Sequence, residues 1–342
     1  MSDLGKPWQQ VSDKQDFLGS NYRARTFTFA STSQPIVHTT LVQHLGELSS
    51  PKAILYLHGY TDYFFQTGLA DFFVQLGYRF YALDLQGYGR SLRPYRPPNW
   101  CSSIEQYGQD IDIALATLYQ DGVRDVSLLA HSTGGLVAAN YLSQAISKAE
   151  REQRYGVPLA DIKHLILNSP FLALPFAPKT LKFLSKPLPW LLTALSRFSI
   201  QAKSPTMYAQ TLHTKFAGQW DYRLDWKPAE GYPLSFHWLK QIDIAQRKLS
   251  QSKISLPTLL CHSQTSTIGK NSVADMQQGD GVLDVHSMQE AAEQVFTQLT
   301  KASIPKGYHD LYLSQEEAQK AFLLAMQNWL QDLESKTPSA SL

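Results

Sequence analysis

The segment LLAHSTGGLV, residues 128–137, changes character within a few positions and thereby decides the fold. An apolar run typical of a buried strand ends at His131-Ser132-Thr133, and two glycines then open a second apolar run with helical spacing. A sharp turn from strand to helix holds its central residue out at the edge of a sheet, where only small neighbours fit. Residues 130–134 match G-x-S-x-G except that alanine stands first. We therefore predict that Ser132 is an exposed nucleophile; the alternative is a serine that caps a helix.

The rest of the chain alternates short apolar runs with longer helical patterns, which indicates an α/β fold. Apolar runs predict core strands at 53–58, 79–85, 126–131, 164–169 and 258–263. Helical patterns occur at 64–76, 104–121, 134–150, 287–298 and 315–334. Two β-rich segments, 23–30 and 36–45, precede them. Continuous apolar runs suit parallel strands covered on both faces, so we predict a mostly parallel, doubly wound sheet.

Residues 171–251 interrupt this alternation, because they contain no strand-like run and are rich in Pro, Trp and Leu. An insertion that leaves one core strand and returns to the next is best interpreted as a lid over the edge of the sheet where sites form. We call it the cap segment and predict that it is helical. The core is then discontinuous, 1–170 and 252–334, and 335–342 is predicted to be a flexible tail.

Composition excludes several classes of protein. The 342 residues are 43% hydrophobic, enough for a large core, and the net charge of +2 does not favour a nucleic-acid partner. Cys101 and Cys261 lack metal-ligand spacing and are predicted to be buried, reduced thiols. The N-terminal sequence has no secretory signal, so we expect a cytoplasmic protein. The longest apolar stretch, 188–195, is too short to span a bilayer, which takes about 20 residues.

A serine hydroxyl needs a base, a carboxylate that orients the base, and donors for the oxyanion. His309, in IPKGYHDLYLS (304–314), follows a strand-like run at 296–304 and a glycine, as expected of a base on a loop at a strand end. Acids are available just before it in GDGVLDVHS, 279–287. The order Ser, acid, His is that of one large class of hydrolases.

Oxyanion donors are predicted in LYLHGYTDYF, 55–64, which ends a strand at His58-Gly59. The backbone N–H of Tyr60 can there pair with that of Thr133, the residue after the nucleophile. A glycine that merely permits a turn is the alternative interpretation of Gly59. His58 is expected to hydrogen-bond loop backbone.

These three motifs resemble those of the α/β-hydrolase superfamily, within it the serine hydrolases grouped with monoacylglycerol lipases, lysophospholipases and serine aminopeptidases. The resemblance runs from about Lys52 to Leu333 and implies an α/β-hydrolase fold whose antiparallel first strands precede the parallel sheet. The stretch LDLQGYGRS, 83–91, resembles the family's D-x-x-G-x-G-x-S loop. It supplies residues that we interpret as structural: Asp84, Gly87, Gly89 and Ser91.

The acid is less well determined than the other two residues. In relatives it heads a D-x-x-x-D pattern, which here is Asp280 to Asp284, and the resemblance gives the triad role to Asp280. However, an insertion at 264–279 separates the strand end from this motif, which leaves Asp284 and Asp275 open. The mechanism implied is covalent, with Ser132 acylated and His309 as base. It requires neither metal nor organic cofactor, and the sequence has no H-E-x-x-H, G-x-G-x-x-G or P-loop motif.

The predicted substrate is a small carboxylic ester with an acyl chain, such as a monoacylglycerol or lysophospholipid, because the cap segment is apolar. Cap lysines could bring the lid to an anionic membrane surface, although a solvated helix face explains them as well: Lys179, Lys182 and Lys186. Two other functions remain open. A serine aminopeptidase or amidase would grip a free amine with a cap carboxylate, for which the candidates are Asp221, Asp225 and Glu230. A non-catalytic binding protein would keep the scaffold alone.

Overall fold

The computed structural model describes residues 8–29, 36–46, 49–174, 187–204 and 206–336. Nine strands form one sheet: β1 (Trp8–Asp16), β2 (Gly19–Phe29), β3 (Val37–His44), β4 (Lys52–Leu57), β5 (Arg79–Asp84), β6 (Asp125–His131), β7 (Asp161–Asn168), β10 (Thr258–Ser263) and β11 (Leu299–Ile304). Their order is β1-β2-β3-β5-β4-β6-β7-β10-β11. Pairing is antiparallel from β1 through β3 to β5, and parallel from β5 to β11. The α/β fold with a mostly parallel sheet is therefore confirmed.

Helices connect the parallel strands. They are α1 (Thr67–Gln75), α2 (Gly108–Gln120), α3 (Thr133–Ser143), α4 (Lys148–Tyr155), α5 (Pro187–Ala194), α6 (Met207–Leu212), α7 (Phe236–Leu249), α8 (Val273–Met276), α9 (Val285–Val295) and α10 (Glu316–Lys336). The cap segment contributes α5, α6, α7 and the short strands β8 (Ser199–Ile200) and β9 (Leu234–Ser235), which pair with each other. The three cap lysines considered for contact with a membrane, Lys179, Lys182 and Lys186, lie outside the described residues.

The sheet carries a hydrophobic core on each face, which explains the continuous apolar runs. In β4, Leu55 and Leu57 point into one cluster with residues of α2 and α3, whereas Ile54 and Tyr56 point into the other with residues of α1 and α10. Successive side chains of a strand point to opposite faces, so a strand covered on both sides needs apolar residues at every position. The doubly wound arrangement follows from this pattern.

Most predicted elements shift by a few residues at their ends, and three differences from the sequence-based expectation are larger or have a clear physical reason. The helix predicted over 134–150 ends at Ser143, and α4 begins separately, with Ser147 and Glu150 in a reciprocal capping box. Strand β1 was not predicted, because seven of its nine residues are partly or fully exposed at the sheet edge and show no apolar alternation. Residues 335 and 336, predicted to belong to the tail, are the last two residues of α10, and the rest of the predicted tail lies outside the described residues.

Two further expectations can be compared with the structure. Both cysteines are buried and unpaired, as predicted, and burial raises the pKa of the Cys101 thiol to about 12 and that of Cys261 well above its usual value. Within the described residues, no helix is both long enough and apolar enough to cross a bilayer.

Candidate active site

Ser132 lies at the turn between β6 and α3 with an unusual backbone conformation. Its φ of 51° and ψ of −119° place a non-glycine residue in a region that few L-residues adopt. Its N–H donates to the carbonyl oxygen of Asn168 at 3.0 Å, which fixes the turn to the neighbouring strand β7. Ser132 occupies the N-cap position of α3, but its side chain makes no capping hydrogen bond. The hydroxyl is therefore available for another partner, which removes the helix-cap alternative.

The two glycines after Ser132 are required by close backbone packing. A Cβ at Gly134 would lie 2.5 Å from the His58 carbonyl oxygen, and a Cβ at Gly135 would lie 2.6 Å from Cβ of Pro170. Real Cβ atoms do not approach other heavy atoms so closely, so neither position accommodates a side chain without movement of backbone. These contacts are the physical reason for the Gly-Gly pair in the sequence.

The structure brings Ser132, His309 and Asp280 into one chain of hydrogen bonds. His309 Nε2 lies 2.9 Å from Ser132 Oγ, and His309 Nδ1 lies 3.0 Å from Asp280 Oδ2. Because an ionised carboxylate only accepts, Nδ1–H donates to Asp280, and Nε2 is left to accept the serine proton. All three side chains are buried, Asp280 completely, so Ser132 is not exposed at the surface as predicted but lines a cavity.

The other candidate acids have different partners. Asp284 caps α9, where its carboxylate accepts from the N–H and the hydroxyl of Ser287. Asp275 accepts from Ser272 at the start of α8. Of these three carboxylates, Asp280 is the one that bonds His309. Its other oxygen accepts from the backbone N–H groups of Val282 and Leu283, each at 2.8 Å.

The loop after β4 packs directly against the nucleophile. A Cβ at Gly59 would lie 3.1 Å from Ser132 Cβ, so the absence of a side chain allows this approach. Tyr60 follows and lines the same cavity as Ser132 and His309. Thr133 is the first residue of α3, where N–H groups have no partner within the helix. The two predicted oxyanion donors thus belong to segments that flank the serine.

Residues that the sequence marked as structural make backbone contacts around this loop. His58 bonds the Gly59 carbonyl oxygen through Nδ1 at 2.8 Å and the Leu85 N–H through Nε2 at 3.1 Å, which defines a neutral imidazole. Asp84 accepts from the N–H of Phe64 and from the Arg90 guanidinium. These contacts support the loop and leave both side chains outside the cavity's lining.

A cavity of about 530 Å³ opens over Ser132 and His309. Most of its lining comes from the cap segment and is apolar or aromatic: Ile200, Ala202, Tyr208, Ala209, Leu212, Tyr222, Pro228, Ala229 and Leu234. Apart from Ser132 and His309, the charged residues of the lining are Asp62, Lys227 and Glu230. The site is thus a largely apolar cavity with a small number of polar anchors, as ligand sites are.

Sequence reasoning missed a buried polar cluster in the wall of this cavity. The ligand-type atoms of Asp62, His131 and Asp310 lie within 4.8 Å of one another, and Lys227 Nζ lies 2.5 Å from Asp62 Oδ1. The ammonium of Lys227 already places a positive charge against the carboxylate of Asp62, so the cluster does not need a metal ion to balance that carboxylate. Asp62 and Asp310 stand inside the quoted motifs and could have been found, but nothing in the sequence around Lys227 indicates its role.

Comparisons with known proteins identify the family and the fold. Residues 49–316 match the family model Hydrolase_4, described as serine aminopeptidase, S33. A soluble variant of monoglyceride lipase from Saccharomyces cerevisiae has a similar structure, with a TM-score of 0.59, 16% identity and coverage of 95% of this chain and 97% of that one. A monoacylglycerol lipase from Paleococcus ferrophilus has a TM-score of 0.52, 19% identity and coverage of 82% and 93%. A deformylase from Pseudomonas putida S16 has a TM-score of 0.50, 14% identity and coverage of 85% and 96%. None of the curated proteins matches the chain.

Proposed function

Because the chain belongs to the Hydrolase_4 family of serine aminopeptidases, S33, and has the α/β-hydrolase fold, we propose that it hydrolyses carboxylic esters with an apolar acyl group. The observation that carries this proposal is the pair of hydrogen bonds that links Ser132 through His309 to Asp280. A serine alone is a weak nucleophile, and this arrangement supplies the base and the orienting carboxylate that activate it.

The proposed reaction has two halves. His309 Nε2 takes the proton of Ser132 Oγ as the oxygen attacks the ester carbonyl carbon, and it returns that proton to the departing alcohol. Asp280 keeps the imidazole in the required tautomer and stabilises its charged form. The N–H groups of Tyr60 and Thr133 are proposed to bind the oxyanion. In the second half, His309 takes a proton from water as the water oxygen attacks the acyl carbon, and it returns that proton to Ser132 Oγ as the bond to the serine breaks and the acid leaves.

The apolar lining supports an acyl chain as the group that fills the cavity. Side chains such as Leu212, Leu234 and Val282 can bury a hydrocarbon but cannot solvate a charged group. Each methylene that enters such a pocket contributes about 0.8 kcal/mol. We therefore expect kcat/KM to rise with acyl length until the cavity is full, across p-nitrophenyl esters from acetate to laurate.

A fluorophosphonate probe tests the proposal directly, since it phosphonylates an activated serine. We expect labelling and ester turnover in the wild type and neither in Ser132→Ala. Ser143→Ala, at the end of the same helix α3, is the matched control and should keep both. A folded wild type that takes no label would favour a binding protein that keeps only the scaffold.

An amidase or aminopeptidase is the second candidate, and one observation favours it. Of the three cap carboxylates predicted to grip an amine, Glu230 lines the cavity. Asp225 is instead paired with Arg223, and the side chain of Asp221 is 90% exposed beside His213. Aminoacyl p-nitroanilides measured beside the esters separate the two activities, and Glu230→Gln should lower only the anilide rate if Glu230 binds the amine.

Contact with a membrane surface is proposed for the described part of the cap segment. Trp190, Leu191, Phe198 and Ile200 are all exposed, with Trp190 74% exposed, and Ile200 also lines the cavity. A group of exposed apolar side chains favours lipid contact. Sedimentation with anionic vesicles should fall in a Trp190→Ser, Phe198→Ser variant, whereas turnover of a short water-soluble ester should not change.

A further inference from the structure

The Lys227–Asp62 ion pair joins the cap segment to the loop that carries the predicted oxyanion donor. Lys227 Nζ lies 2.5 Å from Asp62 Oδ1, with the lysine side chain 14% exposed and the aspartate 2%. The ammonium also lies 5.3 Å from the ring centres of Phe65 and Tyr222. Two charges buried together lose their hydration, and only close contact with good geometry offsets that cost. Removal of one partner would leave the other as an uncompensated buried charge.

Asp62 in turn holds the backbone of the same loop. Its second oxygen, Oδ2, faces the N–H of Gly59 at 3.4 Å. Burial by itself would raise the pKa of Asp62, but the attraction of the Lys227 ammonium and its hydrogen bond to the carboxylate act against burial, and the pKa falls below its usual value. The carboxylate is therefore ionised, and it remains an acceptor for the loop.

The other side of the loop is held by a separate contact. Thr61 has a φ of 49°, unfavourable for a β-branched residue, and Asn99 Nδ2 donates to Thr61 Oγ1 at 2.7 Å. Tyr60 lies between Gly59 and Thr61, so its peptide N–H is fixed from both sides. Loss of either tether would allow the strained loop to relax.

The cap side of the pair is also well anchored. Trp226 packs against Tyr63 with ring centres 5.1 Å apart, and the N–H of Arg223 donates to the Tyr63 hydroxyl at 2.7 Å. Residues 223–227 thus dock on the loop over several contacts, and Lys227 is the one that points into the cavity.

We propose that Lys227 is a positioning residue that acts through Asp62: it ties the cap segment to the loop 59–62 and holds the Tyr60 N–H where the oxyanion forms. The oxyanion hole is complete only while the cap is docked, which couples closure over the substrate to activation of the serine. This inference rests on the proposed ester hydrolysis.

The test compares an ester with its thionoester, in which sulfur replaces the carbonyl oxygen and accepts hydrogen bonds poorly. A misplacement of roughly 1 Å costs about 10²-fold in rate, and loss of one oxyanion donor costs about 10²- to 10³-fold. We expect Lys227→Met to lower kcat for the ester by about 10- to 100-fold with KM within about 3-fold. The thionoester rate should fall less, so the ester-to-thionoester ratio falls at least about fivefold.

Matched variants separate positioning from general damage. Lys215 is an exposed lysine of the same segment, and Lys215→Met should keep the wild-type ratio of ester to thionoester rates. Lys227→Arg keeps the positive charge and should retain most of that ratio. Asp62→Asn should reproduce the effect of Lys227→Met, and the double variant should lose little more than either single one, because both remove one contact. If Lys227→Met does not fold, the ester-to-thionoester ratios of Asp62→Asn and Lys227→Arg test the positioning role instead.

The outcomes distinguish this inference from the proposed function. Wild-type turnover that disappears in Ser132→Ala supports ester hydrolysis whatever Lys227 does. Equal losses for ester and thionoester, additive losses in the double variant, or a Lys227→Met enzyme like Lys215→Met would overturn the positioning role alone. A wild type that hydrolyses neither substrate would overturn both.

Discussion

Replacement of Asp280 by asparagine is the most informative perturbation of the site, because the structure dictates how the new amide must lie. Asp280 Oδ1 accepts from the N–H groups of Val282 and Leu283, and Oδ2 accepts from His309 Nδ1. In Asp280→Asn the amide oxygen must take the Oδ1 position, which turns the NH₂ group toward His309. The imidazole then has to accept at Nδ1 and carry its proton on Nε2, so it cannot accept the proton of Ser132.

The size of the expected loss of activity follows from the free energy that the opposite orientation of the amide would cost. With the NH₂ group at the Oδ1 position, two buried N–H donors would lose their acceptor, at about 1–3 kcal/mol each. A total of about 4 kcal/mol restricts the productive orientation to about one molecule in 10³. We therefore expect kcat/KM to fall by about 10³-fold, close to the ~10⁴-fold loss known for this change in a serine protease.

Asp284→Asn is the control that the chain itself provides. Asp284 caps α9, and asparagine caps helices about as well as aspartate, so stability and activity should stay close to wild type. The assay is p-nitrophenyl butyrate hydrolysis, with circular dichroism to verify folding. If Asp284→Asn is inactive and Asp280→Asn is not, the assignment of the acid is wrong by four residues.

Three further predictions follow from particular contacts. His309→Ala should lower kcat by about 10⁴-fold or more with the fold intact, as steady-state kinetics would show, whereas a loss under tenfold would mean that another base serves. Gly134→Ala should destabilise the protein by about 3 kcal/mol or more in urea unfolding, since the new Cβ meets backbone oxygens. Gly108→Ala, whose Cβ meets only ordinary contacts, should be neutral or stabilising by up to about 1 kcal/mol. Cys101 and Cys261, buried and with raised pKa, should react with a thiol reagent only after unfolding, and rapid reaction of the native protein would contradict their burial.

The local pattern of the chain determined the sheet and the turn, and it marked Ser132 and His309 as candidate catalytic residues. Strands covered on both faces need apolar residues throughout, and a strand-to-helix turn against a neighbouring backbone needs glycine, so both leave a direct mark on the sequence. Ser132 and His309 could be identified for this reason, because each stands at a strand end in a recognisable motif. The edge strand β1 left no such mark, since edge residues face water and need not be apolar.

Only the tertiary structure decided which carboxylate meets His309 and that Lys227 meets Asp62. The loop after β10 carries Asp275, Asp280 and Asp284, and local patterning does not reveal which of them a distant loop approaches. Lys227 lies 165 residues from Asp62, and a lysine among aromatic residues has no periodicity that marks it as buried. Contacts between segments far apart in the chain depend on how the whole sheet and its cap pack, and that information is distributed over the entire core.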